Sequence, residues 1–212
     1  MKALVIGATG ATGKDLINVL LNDPEYTEIV AFVRKTSNTN HFKLKEILTD
    51  FENLESITEF INGDVLFSCL GTTSKMAGSQ ANQWHIDYEI PLNFAKIARK
   101  RDILRTVLLS AYGASVNSKV VYSKIKGKLE EDIEKLSFNQ YIIFRPASLL
   151  RKETDRRDER IIISVLKMLN SFGILKKFSP LPTDILAEKL AKSPKTLPNR
   201  KCIVELENIL DF

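Results

Sequence analysis

Long apolar runs, cysteine and histidine are all scarce in this chain of 212 residues. No apolar stretch approaches the roughly 20 residues that a membrane-spanning helix needs, so we expect no contact with a membrane. The two cysteines, Cys69 and Cys202, lie far apart and match no metal or redox spacing, which predicts inert thiols and no metal site. The N-terminal run MKALVIGA is too short for a signal peptide. We therefore expect a cytoplasmic protein.

An excess of charge of one sign is also lacking, because 31 basic residues face 26 acidic ones and leave a net charge of +5. This mild balance is weak support for a polyanionic partner. The segment 151–160 interleaves five basic with four acidic residues, which cancels most of its field. We expect this segment to be a solvated loop or helix start that binds no nucleic acid. A small-molecule substrate is the expected partner, and a homodimer is left open.

Short apolar segments alternate with amphipathic ones along the chain. Six apolar segments predict strands: KALVI, TEIVAFVRK, FKLKEIL, DVLFSCLG, LRTVLLS and QYIIFRP. Helical periodicity lies between them, including a stretch at 80–100 in which Pro91 predicts a kink or a new helix start. This alternation indicates a parallel sheet covered on both faces. The predicted fold class is α/β, a Rossmann-type doubly wound sheet of about six or seven strands. We predict one domain over residues 1–212, in which 147–212 form a small C-terminal cap on the substrate side.

Three glycines follow the first predicted strand at three-residue intervals: Gly7, Gly10 and Gly13 in VIGATGATGK. A helical pattern begins at the same turn. The N–H groups at a helix start lack intrahelical partners and lie at the positive end of the helix dipole. Glycines let the backbone turn sharply and approach a ligand closely. This strand, turn and helix predict a site for the phosphates of a dinucleotide.

The end of the second predicted strand carries Arg34 and Lys35, roughly 20 residues beyond the glycine turn. At this position an acidic residue binds the 2′-hydroxyl of NAD, whereas arginine accommodates the 2′-phosphate of NADP. Arginine binds phosphate through a planar, two-pronged set of donors. NADP(H) is therefore the preferred cofactor, and NAD(H) is kept as the alternative.

A serine, a tyrosine and a lysine then occur in an order that suits proton transfer. Ser110 closes a predicted strand, and Tyr122 and Lys126 lie four residues apart on one face of a predicted helix. The positive charge of a lysine favours the ionised form of a nearby tyrosine. We predict that Tyr122 exchanges a proton with a carbonyl or alcohol while a nicotinamide carries the hydride. Asp87 and Tyr88 could face the crevice or a partner subunit, and the sequence does not decide between these positions.

These motifs together resemble the short-chain dehydrogenase/reductase superfamily. Within it, the chain is similar to the atypical group of NAD(P)H-binding, epimerase- and dehydratase-related proteins that includes the Tat-interacting oxidoreductase-like proteins. The resemblance covers about the first 150 residues and rests on GATGATG, Arg34, DF at 50–51, CLGTT, LLSAYGA, YSKIK and FRPASLL. It implies that Asp50 and Phe51 flank the adenine, that Gly71 lies along the cofactor and that the backbone near Pro146 borders the nicotinamide. The predicted cofactor-binding residues are Gly7, Thr9, Gly10, Ala11, Thr12, Gly13, Arg34, Lys35, Asp50, Phe51, Cys69, Leu70, Gly71, Thr72, Thr73, Ser110, Tyr122, Lys126, Arg145 and Pro146.

Two functions remain compatible with the sequence. The first is an NADP(H)-dependent oxidoreductase acting on a small carbonyl or alcohol, with Ser110, Tyr122 and Lys126 as catalytic residues. The second is a regulatory protein that binds NADP(H) to sense redox state, a role that has no need of the three residues. The part of the chain after Pro146 is short, which disfavours a bulky sugar nucleotide as substrate.

Overall fold

A seven-stranded parallel sheet organises the protein. The computed structural model describes residues 1–37, 39–150 and 180–212. The first four strands of the chain are β1 (Lys2–Ile6), β2 (Glu28–Val33), β3 (Leu44–Leu48) and β4 (Val65–Ser68). The remaining strands are β5 (Arg105–Leu109), β6 (Gln140–Arg145) and β9 (Lys201–Glu205), and a separate two-stranded ribbon joins β7 (Leu149–Leu150) to β8 (Leu181–Pro182).

The strand order is β3-β2-β1-β4-β5-β6-β9, so the order reverses between β1 and β4. Parallel strands present all their carboxyl ends at one edge, and ligands of open α/β sheets bind at such a reversal. The order and direction of the strands confirm the predicted Rossmann-type fold. The segments that follow β1, β4, β5 and β6 therefore meet at one edge, which is where the sequence places its candidate site residues.

Helices cover both faces of the sheet, as near-continuous apolar strands require. The helical elements are α1 (Ala11–Asn22), a 3-10 helix (Leu54–Phe60), α2 (Ser74–Ala77), α3 (Gln80–Trp84), a π-helical turn (His85–Glu89), α4 (Ile90–Lys100), α5 (Val121–Glu134), α6 (Thr183–Thr196) and α7 (Asn208–Asp211). Alternate residues of β1 point to opposite faces: Ala3 and Val5 pack with α1 and α6, whereas Leu4 and Ile6 pack with α4 and α5.

The predicted kink near Pro91 is present as the π-helical turn between α3 and α4. Proline has no N–H, so the α-helical bond from residue 91 to the carbonyl of residue 87 cannot form. The turn before it widens, and Asp87 lies at its centre. A π-helical turn often marks a functional site, and this one lies beside the crevice.

The C-terminal residues that the structure describes are part of the main sheet. β9 pairs with β6 and forms one edge, and α6 packs its buried leucines on α1. The segment PTDILAEKLAKS has helical periodicity and contributes to α6, and the apolar run in KCIVELENIL forms β9. The mixed-charge segment 151–160 and the apolar segment IIISVLKMLN that follows it lie outside the described residues. Within the described ranges, no helix combines the length and hydropathy that a membrane crossing demands.

Candidate functional site

The glycine turn packs so closely that side chains would not fit at two of its glycines. Gly7 has a φ of +80°, and a Cβ there would lie 2.5 Å from the carbonyl carbon of Cys69. A Cβ on Gly13 would lie 2.1 Å from the Gly7 carbonyl oxygen. The backbone segments at the end of β1, the start of α1 and the end of β4 therefore lie in close contact here. This explains the need for glycine in a way that does not depend on any ligand.

The start of α1 is suited to phosphate. Its N-cap is Gly10, which offers no side-chain acceptor, and the first turn contains no acidic residue. The first N–H groups of the helix therefore keep their capacity to donate to an anion. Gly10, Ala11 and Thr12 line the main cavity of the site, whose volume is about 640 Å³. This arrangement fits the pyrophosphate of a dinucleotide, as the sequence predicts.

The end of β4 forms the opposite wall of this main cavity. Cys69, Gly71, Thr72 and Thr73 line it. Leu70 contributes its carbonyl to the site instead, because this oxygen accepts a hydrogen bond from Lys126 Nζ at 3.0 Å. Burial raises the pKa of the Cys69 thiol to about 12, so Cys69 remains a neutral thiol at physiological pH.

Tyr122 and Lys126 lie together at the cavity, on the first turns of α5. Tyr122 lines the cavity, and Lys126, only 1% exposed, lies behind it with its Nζ 6.0 Å from the centre of the Tyr122 ring. A Cβ built on Gly71 would lie 4.0 Å from both the Tyr122 hydroxyl and Lys126 Nζ. The described structure thus brings the tyrosine, the lysine and the β4 end to one point.

The ammonium of Lys126 is held by two backbone carbonyls and lies in the field of one buried acid. Its Nζ donates to the carbonyls of Leu70 at 3.0 Å and Leu109 at 3.5 Å. Asp87, fully buried in the π-helical turn, accepts from the Thr72 N–H through Oδ1 at 2.7 Å. Burial raises the pKa of Asp87, and the positive charge of Lys126 offsets part of that rise. The Gln83 side chain also lowers the pKa of Asp87, although no described donor meets strict hydrogen-bond geometry at its Oδ2.

This placement resolves the uncertainty about Asp87 and Tyr88. Asp87 is buried behind the crevice and supports the loop after β4 through its bond to the Thr72 N–H. Tyr88 points the other way, and its hydroxyl donates to Asp132 of α5 at 2.7 Å. The negative charge of Asp132 and burial together raise the pKa of Tyr88 to about 12. Tyr88 therefore holds α5 against the helix before it and takes no part in the cavity.

Ser110 is near Tyr122 in sequence order, but its hydroxyl is turned toward another partner. Ser110 Oγ donates to Glu130 Oε1, one helical turn beyond Lys126. Glu130 is also bound by Arg145, whose Nε lies 3.1 Å from Oε1, and Arg145 reaches Glu205 at 3.4 Å as well. The predicted catalytic role of Ser110 stays a prediction, and the described cavity lining contains its neighbour Leu109 instead.

A second cavity of about 530 Å³ lies on the other side of the glycine turn. Thr9 and Lys35 line it, together with Lys14 of α1 and Glu46 of β3. Glu46 accepts from the Ser37 N–H, which fastens the loop after β2 to β3. Two ammonium groups near the end of β2 suit the predicted 2′-phosphate position. Arg34 is exposed at the same strand end.

The three remaining predicted positions lie near the site but differ in exposure. Asp50 is exposed and accepts from the Glu52 N–H at 2.9 Å. Phe51, at a φ of +69°, is 7% exposed and packs in the core beneath the sheet edge. The Pro146 carbonyl accepts from the Tyr112 N–H at 2.9 Å and ties the β6 end to the loop after β5. Their contact with a cofactor remains a prediction.

Sequence reasoning missed several residues that build the site. Glu130 follows Lys126 by four residues, so the helical period that pairs Tyr122 with Lys126 also predicts its face. Gly127 allows close packing, because a Cβ there would lie 2.4 Å from the Ser115 backbone. Met76 and Val120 line the cavity although both are exposed, and nothing in their local sequence identifies them.

Comparison with known proteins gives consistent matches to sequence families. A family model described as NAD(P)H-binding matches residues 7–165. Among curated proteins, the chain is 35% identical over 160 residues to "Protein FMP52, mitochondrial" of Eremothecium gossypii, covering 74% of this chain and 70% of that protein. It is 34% identical over 194 residues to "Protein FMP52-1, mitochondrial" of Scheffersomyces stipitis, covering 90% and 82%.

Solved structures share the fold at low sequence identity. The oxidoreductase ylbE from Lactococcus lactis superposes with a TM-score of 0.70 at 17% identity, covering 96% of this chain and 90% of that one. A short chain dehydrogenase family protein from Francisella tularensis gives 0.66 at 14% identity, covering 99% and 98%. UDP-glucose 4-epimerase from Thermotoga maritima gives 0.73 at 13%, covering 97% and 76%.

The expected cytoplasmic location is wrong. The similar curated proteins from Eremothecium gossypii, Candida albicans and Saccharomyces cerevisiae are all named as mitochondrial. The expectation was based on missing signals for secretion and membrane insertion. The absence of such signals in the given sequence does not identify a compartment.

Proposed function

The chain belongs to the family of NAD(P)H-binding proteins, and on this premise we propose that it is an NADP(H)-dependent oxidoreductase of a small carbonyl compound. The observation that carries the proposal is the Tyr122 hydroxyl at the cavity wall, with the buried Lys126 behind it and the end of β4 opposite. A sensor of the cofactor has no need of a tyrosine and a buried lysine at this point.

The proposed reaction divides between the cofactor and the chain. The glycine turn and the start of α1 would hold the dinucleotide, whose nicotinamide would supply the hydride chemistry at the carbonyl carbon. Tyr122 donates the proton to the carbonyl oxygen, so that carbonyl, hydride and proton together give the alcohol. Lys126 stabilises the negative charge that the Tyr122 oxygen then carries. The carbonyls of Leu70 and Leu109 fix the ammonium in place for this role.

We propose NADP(H) as the preferred cofactor because of the charges near the end of β2. Arg34 follows β2 directly, and Lys14 and Lys35 line the adjacent second cavity. Three cations at this end favour a ligand that carries an additional phosphate. Because the similar curated proteins are named as mitochondrial, we also propose that the protein acts in mitochondria.

One observation favours the alternative, a regulatory protein that binds NADP(H) without consuming it. The Ser110 hydroxyl donates to Glu130 and is thereby directed away from a substrate in the cavity. The two functions make opposite forecasts for a Tyr122→Phe variant.

The deciding experiment follows NADPH absorbance with purified protein and a panel of aldehydes and ketones. We expect Tyr122→Phe to keep the fold and the NADPH affinity while turnover falls by a hundredfold or more, as is typical for a lost general acid. Tyr88→Phe is the matched control, because it removes one hydroxyl that is directed at Asp132. Unchanged turnover in Tyr122→Phe would refute the catalytic assignment, and NADPH binding without any consumption would support the regulatory alternative.

A further inference from the structure

We propose that the main cavity selects an uncharged carbonyl compound with an apolar chain, and discriminates against substrates that carry a carboxylate or a phosphate. This inference rests on the proposed reductase function and names its substrate class. The relevant observations concern the wall of the cavity, the exposed side chains at its rim and the cations behind it.

The described lining of the cavity contains no charged side chain. Its polar members are neutral: four hydroxyl residues next to the backbone turns, two glutamines and the Tyr122 phenol. Leu109 and Leu149 contribute apolar surface from the ends of β5 and β7. The helix-start N–H groups at Gly10, Ala11 and Thr12 are taken by the pyrophosphate of the proposed cofactor, so an anionic substrate beside Tyr122 would need a basic side chain. In the described part of this wall, the substrate meets hydroxyls, amides and aliphatic groups.

Apolar side chains at the rim are exposed where burial would be expected. Met76 is 65% exposed, Val120 is 62% exposed and Val121 is 44% exposed. All three line the same cavity. Scattered exposed apolar residues are ordinary, whereas several around one cavity indicate a binding surface. A substrate chain that covers these three side chains removes their apolar surface and its own from water.

Two cations near the cavity, Lys126 and Arg145, already have partners. Lys126 Nζ is held by two backbone carbonyls and lies in the field of Asp87. Arg145 is bound to Glu130 and Glu205. A substrate carboxylate entering beside Tyr122 would lose water without gaining either cation, which strongly penalises burial of an ion. A neutral chain incurs no such penalty.

The test compares matched substrates that differ in one terminal group. Octanal and 8-oxooctanoate carry the same aldehyde and the same chain length, and only the second ends in a carboxylate. With wild-type protein and NADPH, we expect kcat/KM for octanal to exceed that for 8-oxooctanoate by tenfold or more. Along a series from butanal to octanal, we expect kcat/KM to rise by about threefold per methylene until the chain covers the rim.

A charge placed at the rim should reverse part of this preference. Val120→Lys adds a cation two residues before Tyr122, and we expect it to narrow the ratio of octanal to 8-oxooctanoate by about three- to fivefold. Leu48→Lys is the matched control, since Leu48 is 60% exposed on β3 and does not line the main cavity. We expect this control to leave the ratio unchanged. Using the ratio cancels any effect of the new charge on Tyr122 itself.

Binding of unreactive analogues separates this inference from the proposed function. Calorimetry would measure octanamide and 8-amino-8-oxooctanoate against the protein saturated with NADPH. Preferential binding of octanamide without turnover of any aldehyde would overturn the reductase function and support the cavity preference. Turnover with equal or greater kcat/KM for 8-oxooctanoate would overturn the cavity preference and support the reductase. Equal binding of the two amides would overturn the preference as well.

Discussion

Two buried charges, Lys126 and Glu130, lie one turn apart on α5 and have contrasting surroundings. Glu130 belongs to a group that we call the Glu130 cluster, in which Arg145 binds both carboxylate oxygens and Ser110 donates to one of them. Lys126 belongs to the Lys126 cluster, with Asp87 and the carbonyls of Leu70 and Leu109. In the first cluster each carboxylate oxygen has a partner. In the second, no described donor meets strict hydrogen-bond geometry at Asp87 Oδ2.

The difference indicates which cluster serves stability and which serves chemistry. A buried ion pair with satisfied hydrogen bonds fixes the elements it joins, here α5, β5 and β6. The buried Asp87 has a raised pKa and lies in the field of Lys126 beside the cavity, and buried groups with perturbed pKa values cluster at functional sites. We therefore interpret the Glu130 cluster as structural support and the Lys126 cluster as part of the proposed active site.

Replacing Lys126 should have the largest effect, and the effect should be on turnover. We expect Lys126→Met to lower turnover by a hundredfold or more, because the charge that stabilises ionised Tyr122 is lost. The free energy of unfolding should change by about 1 kcal/mol or less, since methionine keeps much of the volume and Asp87 can take up a proton. Steady-state kinetics and urea unfolding measure the two quantities. Lys124→Met, at an exposed position on the same helix, is the control.

Replacing Glu130 should mainly lower the stability of the fold, whereas replacing Lys126 should mainly lower turnover. We expect Glu130→Gln to lower the free energy of unfolding by about 3 kcal/mol, because Arg145 loses its best-buried partner. This corresponds to a fall in Tm of about 6–12 °C for a chain of this size. Thermal unfolding tests it, with the exposed neighbour variant Glu131→Gln as control. A Glu130→Gln protein with unchanged stability would contradict the structural role of the Glu130 cluster. An unstable Lys126→Met protein with normal turnover would contradict the catalytic role of the Lys126 cluster.

Replacing Arg34, which lies outside both clusters, should have a smaller effect, and this effect should be on cofactor affinity. We expect Arg34→Ala to weaken NADP binding by about ten- to hundredfold, the range that a charge-assisted hydrogen bond of about 1.5–3 kcal/mol provides. NAD affinity should stay unchanged, so NAD itself serves as the control ligand. Calorimetric titration of both cofactors decides the matter. Equal affinity of the wild-type protein for NAD and NADP would remove the proposed preference.

The sequence predicted the fold and the glycine turn better than it predicted the side-chain contacts around Tyr122. The glycine spacing and the apolar strands follow from local periodicity, and both are confirmed in β1, α1 and the parallel sheet. The partner of the Ser110 hydroxyl was not predictable, because Glu130 and Arg145 reach it from different elements. Met76 and Val120 become neighbours of Tyr122 in the cavity only through the packing of loops, which carries no periodic signal.

The smallest predicted effect concerns Asp87 and appears in the pH dependence of stability. Burial raises the pKa of Asp87 in the folded protein above its ordinary value of 3.8, although Lys126 opposes the rise. The folded state then binds a proton more readily than the unfolded state, so this carboxyl makes the protein less stable as pH rises from about 4 through the raised value.

Asp87→Asn removes that titration and keeps an oxygen that can accept from the Thr72 N–H. We expect the variant to be less sensitive to pH in this window and to differ from wild type by about 1 kcal/mol at neutral pH, the usual scale of one altered hydrogen bond. Urea unfolding at several pH values from 4 to 8 measures both proteins. If the free energies of unfolding of both proteins change equally with pH over this range, Asp87 does not titrate there. The predicted contrast between the Lys126 cluster and the Glu130 cluster would then be wrong. If the free energy of unfolding depends on pH in the wild-type protein and not in the variant, the buried acid beside Lys126 is the group that titrates.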